Sequence, residues 1–178
     1  LAKRAGLSLA TPYNLLGSKA GVLAQVFERL VKAFHRDESW MEGLPACDRI
    51  LGVIDRLILA YERQGNLFRN LWKALYGLDV SEHRQLNLSL SANIVHPLVA
   101  SLAKDGLLAN SVPEEAVETT LVRVFDANFE MWASQDWQPA ELRRQLRLSF
   151  ALIFLGLVDG PDRVRLETVI REETSASA

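Results

Sequence analysis

Apolar side chains recur at three- and four-residue spacing along nearly the whole chain, and alternating β-branched runs flanked by tight-turn dipeptides do not occur. Glycine and proline cut this pattern into segments of helix length. Such a chain folds by burying one apolar stripe per helix against its neighbours, so an all-α fold is expected. At 178 residues, 49% of them hydrophobic, it is long enough for a sizeable core and too apolar for disorder.

The punctuation predicts about nine segments. Residues 1–5 read as the end of a helix stopped by Gly6, and Ser8 caps a short helix that runs to Leu16. Gly17 ends it, and Ser18 caps a long helix over 19–36. Gly43 and Pro45 mark a domain boundary, which gives a small head at 1–38 and a body at 46–172. In the body, helices are expected over 48–64, 67–76 and 82–104, the last with a kink or break near His96 because Pro97 removes a backbone donor. Gly106 ends that helix. Ser111 and Glu114 form a capping box, with Glu114 at the third helical position, that opens a helix to Ser134. Pro139 starts the next, which runs to Val158, and a short helix over 162–170 follows Gly160-Pro161.

Charge is unevenly spread. Of 20 basic and 22 acidic side chains, the first 36 residues hold Lys3, Arg4, Lys19, Arg29, Lys32 and Arg36 against Glu28 alone. A basic head on an acidic body suggests a polyanion at one end. Cys47 is alone, so one chain holds no disulfide, which suits a reducing, cytoplasmic setting. The longest apolar run, 150–158, is far shorter than the roughly 20 residues a membrane span needs. The chain starts at Leu1 without a methionine and reads as a fragment of a longer protein, or its ordered part.

The head carries the most specific signal. Its order is helix, Gly turn, Ser-capped short helix, turn, Ser-capped helix, which is the layout of a helix-turn-helix. In that motif the second helix enters the major groove and its first residues meet base edges. Ser8 and Thr11 suit a cap or a phosphate. Ala10 and Pro12 are small enough to approach thymine methyls, Asn14 suits adenine, and Tyr13 and Lys19 reach phosphates. The plain alternative is a capped helical hairpin with no ligand.

Ala5-Gly6-Leu7-Ser8, Thr11-Pro12-Tyr13, Leu16 and Lys19 together resemble the helix-turn-helix of the tetracycline-repressor (TetR) family, which usually has Phe where Leu16 stands. The resemblance covers about 20 residues. It implies DNA contact by Thr11, Tyr13 and Lys19, base reading by Ala10, Pro12 and Asn14, and a helical body that binds an effector and dimerises. It also implies a three-helix head of which this chain holds only the later part.

Two readings of the body follow. Val117, Leu121, Val124, Phe125 and Trp132 form one apolar stripe, and Leu142, Leu146, Phe150, Phe154 and Leu157 form another that widens around its helix. Val117, Leu121, Val124, Leu146, Phe150, Phe154 and Leu157 are therefore expected at a homodimer interface, with an internal central helix as the alternative. Tyr61, Phe68, Trp72, Tyr76, Asn93, His96, Phe125, Asn128 and Phe129 are expected around a small hydrophobic or aromatic effector, although aromatics at helical spacing form plain core more often than a pocket. His35, His83 and His96 are scattered, and no nucleotide-binding or nucleophile motif occurs, so no metal, cofactor or catalytic residue is expected. The expected function is a repressor that binds a near-palindromic double-stranded operator as a homodimer. The rivals are a helical small-molecule binding protein that never touches DNA and a helical enzyme, for which no residue pattern speaks.

Overall fold

The computed structural model describes residues 18–36, 39–64, 66–109, 112–135 and 137–175. Seven α-helices fill them: α1 (Lys19–Phe34), α2 (Ala46–Gln64), α3 (Asn66–Tyr76), α4 (Val80–Lys104), α5 (Glu114–Ser134), α6 (Pro139–Phe154) and α7 (Gly160–Ser175). A 3-10 turn, Ser39–Met41, lies between α1 and α2. Among the described residues there is no strand, so the fold is all-α.

Local chemistry sets several boundaries. Ser18 is extended, and its hydroxyl accepts the Gly21 N–H at 3.0 Å, which satisfies one orphan donor at the start of α1. Gly106 has φ +66 and closes α4. Its N–H reaches the Ala103 carbonyl at 3.0 Å, and the Leu107 N–H reaches Leu102 at 2.9 Å. Pro139 sits in the first turn of α6, where its missing N–H costs nothing.

Other boundaries depart from expectation. α5 starts at Glu114, with Pro113 as its N-cap and no side-chain cap, so Glu114 is the first helical residue and the capping box is not made. Val112 precedes a proline, and the proline ring disfavours the helical conformation a Ser111 cap would demand of it. α2 starts two residues early, at Ala46. Its first N–H groups are met by Asp162 of α7, whose carboxylate accepts from Ala46 at 3.2 Å and Cys47 at 2.9 Å. α6 ends at Phe154, earlier than expected, while α7 starts earlier and runs on to Ser175. α4 passes through Pro97 without a break. The carbonyl that the proline leaves without a helix partner is that of Asn93, and it accepts a hydrogen bond from His35 Nε2 at 2.6 Å.

One apolar core runs through the described residues, from Leu23 and Phe27 of α1 to Leu166 and Val169 of α7. α2 is central and packs against α3, α4, α6 and α7, whereas α1 lies at an edge, chiefly against α3 and α4. Arg49 is the one strongly buried cation among the described residues, at 2% exposure. Its guanidinium is fully engaged with the Leu44 carbonyl, both Ser101 oxygens and the Asp105 carboxylate, and it ties α2 to the end of α4.

The stripes expected at a dimer interface are covered within one chain. Val117, Leu121, Leu146, Phe150, Phe154 and Leu157 are buried and Val124 is half-buried. A helix apolar on every side needs cover on every side, and α2, α5 and α7 supply it to α6. The large apolar side chains that α5 and α6 leave exposed are Met131 and Leu152.

Candidate ligand cavity

Five helices converge on an apolar cavity of about 40 Å³. α1 contributes Phe27, Leu30, Val31 and Phe34, α2 contributes Leu57, Ala60 and Tyr61, and α3 contributes Phe68 and Trp72. Leu90, Ser91 and Ile94 of α4 and Phe125 of α5 complete the wall. The α1 residues follow the i, i+3, i+4, i+7 spacing that puts them on one face.

The aromatic side of the wall is ordered by ring packing and one hydrogen bond. Tyr61 stacks on Phe68 with centroids 4.0 Å apart, and Trp72 stacks on Phe129 at 4.7 Å. Phe27 meets Trp72 edge-on at 5.6 Å. Trp72 Nε1 donates to the Tyr61 hydroxyl at 2.8 Å, which satisfies both polar tips inside the core. Burial holds the Tyr61 phenol well above its ordinary range.

Ser91 is fully buried and brings a hydroxyl to the α4 side of the cavity. That hydroxyl donates to the Asp126 carboxylate behind it. Burial pushes the Asp126 carboxyl up to about 7; the Ser91 bond opposes the rise and the negative Glu130 adds to it. Tyr76 donates its hydroxyl to the backbone carbonyl of Asp126 at 3.3 Å. Burial, and then the negative field of Asp126, keep that phenol protonated far above neutral pH.

Of the nine residues expected around an effector, Tyr61, Phe68, Trp72 and Phe125 line the cavity. Phe129 backs the wall behind Trp72, and Tyr76 stacks on Trp72 from the far side at 6.0 Å. The other three are elsewhere. Asn93 is exposed and takes part through its carbonyl. His96 is exposed and pairs with Glu118, Nδ1 to Oε2, at 3.0 Å. Asn128 turns back on its own helix and donates to the Val124 carbonyl at 2.8 Å. Helical geometry explains the misplacement of the α4 pair: Ser91, Ile94 and Val95 occupy the inward face, and Asn93 and His96 fall opposite. The reading of the residues missed the α1 wall and the Ser91–Asp126 pair. The 27/30/31/34 spacing was a signal for the first, and nothing local signals the second.

His96 and Pro97 instead border a wide, open groove with Glu42, Arg49, Lys104 and Asp105, where the charged groups of Arg49 and Asp105 already bind each other. Cys47 is fully buried, and burial raises its thiol to about 11, which leaves it unreactive at neutral pH. Among the described residues no three His, Cys, Asp or Glu side chains gather as a metal site, and no helix is long and apolar enough to cross a membrane.

Ser8, Ala10, Thr11, Pro12, Tyr13 and Asn14 lie outside the described residues. Lys19 is described. It is exposed at the first position of α1, and its ammonium lies beside Gly77, 3.5 Å from where a Cβ on that glycine would sit. This is the C-terminal end of α3, whose free carbonyls favour a cation. Comparison of the chain with protein-family models, with curated proteins and with solved structures found no match to any of them.

Proposed function

We propose that the chain acts as a ligand-responsive transcription regulator of the TetR kind, a cytoplasmic homodimer that represses by binding a near-palindromic operator. The observation that carries this reading is the double duty of α1. Its N-terminus, capped by Ser18, directly follows the helix-turn-helix-like stretch 8–17, and its inner face supplies Phe27, Leu30, Val31 and Phe34 to the cavity. One helix thus joins a stretch suited to DNA with a space suited to an apolar effector.

Volume gives the coupling a direction. A cavity of about 40 Å³ is well below the roughly 150 Å³ that admits a benzene-sized guest. An effector must therefore move a wall, and α1, at the edge of the fold, is the least enclosed one. Its displacement carries Lys19 and the preceding stretch with it. Ligand and DNA then oppose each other through their different affinities for the two positions of α1. In the homodimer, two such stretches sit about one helical turn of DNA apart. The two-fold contact falls on faces other than the buried stripes, and Met131 and Leu152 are the large exposed apolar side chains of α5 and α6 available to it.

The test is a gel shift with protein expressed from its complete coding sequence on the DNA upstream of its own gene. The expected result is a sequence-specific, salt-sensitive complex that Tyr13→Ala and Lys19→Ala weaken. Ligand binding without any such complex would favour the rival, a helical binding protein with no role on DNA.

A further inference from the structure

We propose that the cavity recognises a compact apolar ketone or ether, whose neutral oxygen accepts the hydrogen of the Tyr61 hydroxyl. The inference rests on the reading of this cavity as an effector site and adds the functional group that the effector carries.

The case starts from the direction of one hydrogen bond. Trp72 Nε1 donates to the Tyr61 hydroxyl at 2.8 Å, which serves the indole and uses the phenol oxygen as an acceptor. A phenol is a donor as well. Among the described residues no group accepts its hydrogen. The rings packed on Tyr61 are Phe68 at 4.0 Å, Phe129 at 5.2 Å and Trp132 at 5.4 Å between centroids, and none of them carries an acceptor oxygen. Trp132 does not line the cavity, but its buried N–H is also without a partner among the described residues, so this aromatic cluster holds more donors than acceptors. Tyr61 is 5% exposed, and burial keeps its phenol protonated well above neutral pH, so the hydrogen is always present and bulk water does not serve it.

This donor belongs to the cavity. Tyr61 and Trp72 both line it, so the bond between them is part of its wall. A lone water suits the place poorly. It needs roughly two to four polar partners, and the other hydroxyl on the wall, Ser91, already gives its hydrogen to Asp126. An oxygen that brings its own apolar body does not need them, because the body lies against Phe27, Phe34, Leu57 and Phe125 while the oxygen meets Tyr61. No charged side chain lines the cavity among the described residues, so the acceptor is neutral; a carboxylate would shed its water there without a counter-charge. A plain hydrocarbon would leave the phenol hydrogen as it is.

The experiment is calorimetric titration with two probes of one shape, acetophenone and α-methylstyrene, which differ by an oxygen in place of a methylene. The readout is the ratio of their dissociation constants, because the ketone is the better hydrated in water and the absolute affinities carry that difference. Tyr61→Phe keeps the ring and removes the donor, and should shift the ratio against acetophenone by roughly tenfold, as loss of one hydrogen bond to a buried acceptor does. Trp72→Phe leaves the phenol in place and should hold the ratio within about threefold of the wild type. If a variant does not fold, the carbonyl stretch of acetophenone bound to the wild type decides. It must lie below its frequency in cyclohexane, as a hydrogen-bonded carbonyl does, and a stretch at the cyclohexane frequency overturns the proposal. A ratio that Tyr61→Phe leaves unchanged, or that Trp72→Phe shifts equally, overturns the assignment to the phenol and leaves the effector site standing. Failure of both probes to bind the wild type at concentrations up to saturation overturns both.

Discussion

His35 Nε2 stands 2.6 Å from the Asn93 carbonyl, the oxygen that Pro97 deprives of its helical N–H. His35 is the residue that ends α1, and Asn93 and Pro97 lie within α4, so the bond fastens the end of one helix to a defect in another. Phe34 beside it joins the cavity wall and meets the His35 ring edge-on at 5.2 Å. The proline therefore creates an attachment point where a regular helix would offer none.

That relationship predicts a double-mutant cycle. His35→Ala alone should cost about 1 kcal/mol, the net worth of one hydrogen bond. Pro97→Ala restores the N–H that Asn93 lacks, so in that background the histidine has less to satisfy and its removal should cost less by about 0.5 kcal/mol or more. Urea unfolding of the four proteins measures the coupling. Strict additivity would show that the contact carries no energy.

Asp162 predicts a second effect, far from its own helix. Its carboxylate serves the first N–H groups of α2, 115 residues earlier in the chain. Asp162→Ala should destabilise the protein by about 1 kcal/mol, as loss of an N-cap does. Amide exchange should quicken first at Ala46 and Cys47. Faster exchange confined to the start of α7 would contradict the assignment.

This cap also marks the limit of what the chain's sequence makes legible. Ser18, Gly106 and Pro139 act on residues within a few positions of themselves, so the starts of α1 and α6 and the end of α4 are readable from local chemistry. The start of α2 depends on a residue that only the folded packing brings near, and it lies two residues before the point that local chemistry indicates. The capping box failed because Val112-Pro113 overrode a favourable pair of side chains. The cavity divides the same way. Its aromatic half, Tyr61, Phe68, Trp72 and Phe125, is visible in composition and spacing. That α1 should close it, and that Ser91 should meet Asp126 across two helices, are tertiary facts without a local signature. The all-round apolar character of α6 was equally real, but a periodic pattern does not say whether the cover comes from the same chain or from another.

Tyr61→Phe tests the hydrogen bond at the centre of the aromatic wall. The substitution keeps the stack on Phe68 and removes only the oxygen that accepts from Trp72 Nε1. Both residues are buried, at 5% and 2% exposure, so no bulk water replaces the lost partner. A loss of about 1–3 kcal/mol is expected, the cost of an unsatisfied buried donor. A change below about 0.5 kcal/mol would mean that the indole finds another acceptor.

Asp126 contributes a distinctive dependence of stability on pH. Burial raises its carboxyl from 3.8 to about 7 in the folded protein, so between those values the native chain holds a proton that the unfolded chain has released. Stability from this group is therefore complete below about pH 4 and declines as pH rises to about 7, the opposite of an ion-paired acid. Asp126→Asn removes the titration and retains the contact with Ser91. At pH 8 the variant should melt roughly 3 °C or more above the wild type, since about 1 kcal/mol moves the midpoint by 2–4 °C in a domain of this size. The gap should narrow steadily as pH is lowered from 8 to 5, because the wild-type carboxyl regains its proton over that interval. Calorimetric melting of both proteins at each pH decides the matter: a gap that stays constant, or widens toward acid, means that this carboxyl is not held protonated by the fold.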